Sequence, residues 1–280
     1  MRKHSRKRKL SQADIGKCHP RVRGTLKKSC LPESNYKTLR ESPATSACNG
    51  TDEHCILDKA TTVSSIEKEK LRKTYLRPRY PKAWKSDPDD WLDNYNIQDV
   101  MSQYQEAYPS FHFLGVVPID FAVRNPYVKG KEECLHKELC ELDLYAEYDR
   151  GIRSIGIIFN LDPHYKGGSH WIALYCDIHD LKASKSSKSS KKRPWCAYFD
   201  SYGFSTPEYI AKFMRSLYSQ NNRMHLMFNA RRFQHSTSEC GMYSMYFIIC
   251  MINGIPFSEF CKDSVSDATM LKMRKLFFTE

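Results

Sequence analysis

Through residues 1–80 apolar side chains are sparse and follow no period, whereas Lys, Arg, Ser and Thr are abundant. Such a segment has too little apolar surface to offset the entropy of ordering a chain, so it is expected to be largely disordered. Within it, Thr62 to Tyr75 is predicted to form one short helix, capped by Ser64 or Ser65. Order is expected to begin near Pro81. Asp87-Pro88-Asp89-Asp90 reads as a turn and helix start, its carboxylates suited to the positive end of a helix dipole. Trp91, Leu92, Tyr95, Ile97, Val100, Met101 and Tyr104 then recur at helical spacing, as one amphipathic helix or two short ones. Phe111 to Phe121 is strand-like up to the break at Pro118, and Tyr127 to Tyr148 is predicted helical.

From Ser154 the period changes. Ser154 to Asn160 is a β-branched strand, Trp171 to Asp177 alternates with Ile172, Leu174 and Cys176 on one face, and Trp195 to Phe199 reads as a third strand. Lys182 to Arg193, rich in Ser and Lys, is expected to be a flexible hairpin extension. Pro207 to Ser219 is an amphipathic helix with Ile210, Phe213, Met214 and Leu217 inward, and Asn229 to Gln234 a short strand. Gly241 to Met251 is apolar on every side, the pattern of a buried central helix, and Val265 to Phe278 closes the chain as another helix. The pattern predicts an α+β domain over 81–280, a small central sheet flanked by helices, behind a basic tail over 1–80.

Charge sharpens that division. Residues 1–80 hold 20 Lys and Arg against 8 Asp and Glu, a net of +12, and residues 81–280 hold 24 of each. The run Arg2-Lys3-His4-Ser5-Arg6-Lys7-Arg8-Lys9 reads either as a nuclear-localisation or nucleic-acid patch or as a solubilising tail. No apolar run approaches the ~20 residues of a membrane span. The charged N-terminus lacks the apolar stretch of a signal peptide, so an intracellular location is expected. The 11 cysteines are an odd number without such a signal, which argues against a secreted disulfide framework. Cys134, His136 and Cys140 form a small cluster, but their spacing does not match structural zinc sites, and no metal or other cofactor is expected.

One cysteine has a reactive setting. Cys240 follows the polar segment Gln234 to Glu239 and opens the apolar helix, where the backbone dipole favours a thiolate. Gly241 lets a substrate backbone approach. A thiol nucleophile needs an imidazole base and a group that orients it. His170 stands between the glycines Gly167-Gly168 and a strand, and Asp200 ends the next strand, where a hairpin would bring it to His170. His164 is a rival base without that junction, and reads as surface loop.

The order His170-Trp171, then Asp200-Ser201, then Gln234-x5-Cys240-Gly241 resembles the SUMO-protease and adenovirus-endopeptidase (adenain-like) superfamily of cysteine peptidases. The stretch Asn160 to Trp171 resembles the branch encoded by large DNA viruses such as African swine fever virus, whose members process polyproteins. Trp91-Leu92-x-Asn94 resembles the helix that opens the catalytic domain in cellular relatives. The resemblance covers roughly residues 88–280. It implies a papain-like, ubiquitin-like-protease fold with Cys240 at the N-terminus of the buried helix.

The resemblance further implies that Cys240 attacks the scissile carbonyl, that His170 protonates the leaving amine, and that Gln234 and the Cys240 N–H hold the oxyanion. Trp171, with Trp91 opposite, would wall a slot narrow enough to select glycines, and Gly168 and Gly241 would leave room for the substrate chain. The expected function is an endopeptidase maturing viral structural polyproteins at Gly-Gly or Gly-X-Gly-like sites, in the virion and the host cytoplasm. The basic N-terminus adds the nucleus as a second location. A deSUMOylating isopeptidase is the alternative within the same chemistry. From another class, a nucleic-acid-binding or scaffold protein would act through the basic tail, which in the peptidase reading tethers the enzyme to DNA or a capsid.

Overall fold

The structure is a computed structural model that describes residues 10, 15–22, 29–128, 133–183 and 193–279. It divides into two units, one made of Leu10–Ala107 with Ala268–Glu280, the other spanning Tyr108–Asp267.

The first unit corrects the expectation of a disordered tail ending at residue 80. Helices α1 (Glu33–Arg40), α2 (Glu53–Lys59), α3 (Ser65–Tyr75) and α4 (Asn94–Ala107) follow one another through it. Asp52 caps α2 by accepting from the Cys55 N–H, and Ser64 caps α3 by accepting from the Glu67 N–H. Leu31, Leu39, Ile56, Leu57, Ala60, Leu71 and Leu76 form a small buried cluster. Two disulfides, Cys18–Cys30 and Cys48–Cys55, are built into its wall. A cross-link removes freedom from the unfolded chain, about 3 kcal/mol for a loop of some 15 residues. Little apolar surface then suffices. The Glu53 carboxylate is buried as well, accepting from the Cys30 and Leu31 N–H groups and the Ser29 hydroxyl. Local polarity therefore understated how much of this segment can fold. The division also falls at Ala107 rather than residue 80, and the C-terminal helix belongs with the N-terminal segment. The basic run Arg2 to Lys9 lies outside the described residues.

The second unit is built on a five-stranded mixed sheet in the order β1 (Phe111–Pro118), β2 (Ser154–Asn160), β3 (Trp171–Asp177), β4 (Trp195–Phe199), β5 (His225–Phe228). The outer pairs are parallel and the two inner pairs antiparallel. Before β2 stand the short helices α5 (Lys137–Cys140) and α6 (Leu144–Asp149); between β4 and β5 lies α7 (Glu208–Gln220). After β5 come α8 (Cys240–Ile252), α9 (Phe257–Phe260) and α10 (Asp267–Phe277), the last running on into the first unit.

Strand β2 is buried on both faces for six residues, which is why its sequence reads as a continuous apolar run rather than an alternation. Register explains the layers. Ile157 pairs with Leu174 and Leu174 with Tyr198, placing them on one face, where Ile210, Phe213, Met214 and Leu217 of α7 complete the core. The opposite face receives α8. Phe247 stacks on Phe199 at 4.9 Å, and Gly156 of β2 lies so close to the Phe111 ring and Ile248 that a Cβ there would stand 2.8 Å from the ring.

Three local expectations fail. Tyr127 to Tyr148 holds only α5 and α6 among its described residues, because Cys134 and Cys140 are joined by a disulfide and Asp143 starts a new helix by accepting from the Tyr145 and Ala146 N–H groups. That bond also removes the Cys134/His136/Cys140 set as a thiolate cluster, and the three disulfides together correct the expectation that the cysteines build no disulfide framework. The strand expected at Asn229 to Gln234 lies earlier, at His225–Phe228. Asn229 ends it by turning its side chain onto the Asp200 and Arg231 backbones. The Ser/Lys extension falls mostly on 184–192, outside the described residues.

Candidate active site

The site lies where three elements of the second unit end. His170 immediately precedes β3, Asp200 immediately follows β4, and Cys240 is the first residue of α8. All three are buried, which strengthens every charge interaction among them. The His170 Nε2 bonds the Asp200 Oδ1 at 2.9 Å, and the imidazole also hydrogen-bonds the Cys240 thiol. With Nε2 taken by the carboxylate, Nδ1 is the nitrogen left for sulfur. Burial pulls the His170 pKa down, but the bonds to Asp200 and then to Cys240 outweigh it and raise the value to about 9. With a value that high the ring carries its charge at neutral pH, beside the sulfur.

Each partner is held in turn. The Asp200 Oδ1 also accepts from the Tyr202 N–H at 2.8 Å, and Oδ2 accepts from the Tyr198 hydroxyl at 3.4 Å. Asn229 clamps the Asp200 backbone from both sides, accepting its N–H and donating to its carbonyl, each at 2.8 Å. The His170 carbonyl accepts from the Leu161 N–H, and the Ser244 hydroxyl of α8 donates to the Trp171 carbonyl. Helix and sheet are therefore pinned together one turn from the nucleophile. Because α8 starts at Cys240, the Cys240 N–H lies outside the intrahelical ladder and is open to an oxyanion.

Such a base, orienting carboxylate and helix-borne thiol are the parts of a thiol hydrolase. Comparison with known proteins agrees. The profile of the Ulp1 protease family, C-terminal catalytic domain, matches residues 153–280. Residues 153–280 are a cysteine protease domain of the Ulp1 family. A thiol protease of Acanthamoeba polyphaga mimivirus is 28% identical over 233 residues, 82% of this chain and 69% of that protein. A cysteine protease of African swine fever virus is 22% identical over 276 residues, 91% of this chain and 92% of its own length. The crystal structure of the African swine fever virus protease shares the fold, with a TM-score of 0.69 at 20% identity, over 94% of this chain and 96% of that one.

Among the residues singled out in the sequence, the structure brings Cys240, His170, Asp200 and Gln234 into one unit. Gln234 is fully buried: its Oε1 accepts from the Ser201 hydroxyl at 2.6 Å, and its Nε2 donates to the Ser236 carbonyl at 2.9 Å and the Tyr202 hydroxyl at 3.3 Å. Trp171, the first residue of β3, is buried, and Gly241 is buried in the first turn of α8. Gly168 has a φ of +94°, and a Cβ there would stand 2.2 Å from the Asn160 Nδ2, so both its backbone and its packing require a glycine. Trp91 belongs to the first unit and is half exposed. His164 is bonded instead to Asp120, which accepts both its N–H and its Nδ1–H, and it is His170 that also has the Cys240 thiol as a partner.

Sequence reading missed Asn229, Tyr202 and Asp267. Asp267 Oδ2 accepts the N–H groups of His235 and Ser236 at 2.9 and 2.8 Å, and its Oδ1 accepts from the Tyr243 hydroxyl. It thereby fixes the loop between Gln234 and Cys240. Its only signal was its place at the start of a helix.

Proposed function

We propose that this chain is an endopeptidase that cleaves after glycine-containing sites and matures viral structural polyproteins. The observation that carries the chemistry is the Cys240–His170–Asp200 arrangement, with imidazole bonded to both thiol and carboxylate. The Cys240 sulfur attacks the scissile carbonyl carbon and forms a C–S bond, and the oxyanion is met by the Cys240 N–H and the Gln234 Nε2–H. His170 gives its proton to the amine as the C–N bond breaks. It then takes a proton from the water that attacks the thioester, and as the C–S bond breaks the acid leaves and Cys240 is returned as the thiolate beside the imidazolium. The viral role is supported by likeness along nearly the whole length to a viral cysteine protease, first unit included. The basic run Arg2 to Lys9 would hold such an enzyme on DNA or a capsid.

A second reading, an isopeptidase that removes a SUMO-like modifier, is favoured by the naming of homologues from three African swine fever virus isolates as SUMO-1 cysteine proteases. Active-site probes separate the two. A Gly-Gly peptide vinyl sulfone and SUMO carrying the same warhead are each incubated with the protein, and adducts are mapped by mass spectrometry. Labelling of Cys240 by the short peptide at least as fast as by SUMO is the expected result. Much faster labelling by SUMO transfers the assignment to the isopeptidase, and a folded protein with no adduct on Cys240 ends both readings.

A further inference from the structure

Tyr202, in the loop after β4, touches each part of the site. Its ring stacks on the His170 imidazole with centroids 4.8 Å apart and planes 27° apart. Its backbone N–H donates to the same Asp200 Oδ1 that holds His170 Nε2. Its hydroxyl donates to the Ser236 carbonyl at 3.0 Å and accepts from the Gln234 Nε2–H at 3.3 Å. Phe204 packs on the ring at 5.7 Å, and the Arg232 guanidinium lies 5.3 Å from its centroid. Resting on the reading of the site as a cysteine peptidase, we propose that Tyr202 is a positioning residue that fixes the His170 ring by stacking and the Gln234–Ser236 loop through its hydroxyl.

Two consequences differ from those of a structural side chain. An aromatic face against a protonated imidazole favours the charged form, so loss of the ring should let His170 give up its proton at lower pH. The other groups around His170 remain in any variant: Asp200 with Tyr198 behind it at the end of β4, Cys240 on α8, Arg232 in the loop after β5, and Asp267 beyond the Tyr202 hydroxyl. Loss of the hydroxyl alone leaves the ring stacked. It cuts the bonds to Gln234 and Ser236 while Asp267 keeps its own to His235 and Ser236.

The test uses the full chain as wild type, Tyr202→Phe and Tyr202→Leu. Alkylation of Cys240 by iodoacetamide is followed against pH on the Cys240 peptide by mass spectrometry, which separates it from the partly exposed Cys261. Turnover of a Gly-Gly peptide gives kcat and KM. Tyr202→Leu should move the alkaline limb of alkylation down by about half to one pH unit. Tyr202→Phe should leave that limb in place and lower kcat about 3- to 10-fold with KM little changed, the effect of a donor held slightly out of place. A Tyr202→Leu profile that superimposes on wild type overturns the proposal. Should Tyr202→Leu not fold, Tyr202→Phe decides, and an unchanged kcat overturns it. If the wild type turns over no peptide, the peptidase reading fails on that arm, while the alkylation limb still tests Tyr202.

Discussion

At the scale of single residues the site is a chain of obligations, each side chain fixed by the next. Cys240→Ala and His170→Ala should each abolish turnover without moving the melting temperature appreciably, measured on the peptide substrate and by calorimetry; residual activity in Cys240→Ala would end the mechanism. The His170 value of about 9, above the ordinary 6.5, gives a pH signature. The imidazolium persists well beyond neutrality, so kcat/KM should fall on an alkaline limb near pH 9. A raised histidine also stabilises the fold fully below 6.5, and that contribution is lost as pH climbs towards 9. Asp200→Asn removes the carboxylate that raises it. It should shift the limb to lower pH and lower the rate less than loss of Cys240 or His170. A limb that stays near pH 9 in this variant would show that Asp200 does not set the charge of the ring.

Elements bring these residues together by register and close approach. The antiparallel pairing of β3 with β4 sets Ala173 opposite Phe199, which leaves His170 and Asp200 just beyond paired strand ends at bonding distance. Helix α8 reaches the sheet because Gly156 has no side chain. A methyl group there meets two carbons of the Phe111 ring at 2.8 Å and Ile248 at 3.2 Å. Gly156→Ala should therefore destabilise the protein by about 1–3 kcal/mol, read as a lower denaturant midpoint, by overpacking between strand and helix. An unchanged midpoint would mean that β1 yields freely. At the other end of the site Gly168 adopts a φ of +94° against Asn160, so its place in the His170 loop is set by backbone and packing.

For the whole molecule, cysteine chemistry pulls in two directions. Cys240 is a free thiol, as the proposed mechanism requires, whereas the first unit carries two disulfides around a small core. Strong reductant should loosen residues 29–76, at about 2–3 kcal/mol for each bond opened, and leave β2 and β3 protected in hydrogen exchange. Equal protection of 29–76 with and without reductant would show that the disulfides add nothing to that core. The amino-acid sequence alone determined which histidine, aspartate and cysteine make up the candidate site, the three central strands, α7 and the buried α8. Those elements declare themselves through period and through an apolar run with a polar approach, and both are local properties. Tertiary structure decided what local patterns do not carry. Residues 29–80 fold because cysteines 12 and 7 positions apart meet and because Glu53 finds buried donors, neither of which a low hydrophobic content reveals. Asn229, Tyr202 and Asp267 became part of the site only once distant loops converged, since hydrogen bonds and ring contacts spanning some 30 residues leave no period in the chain.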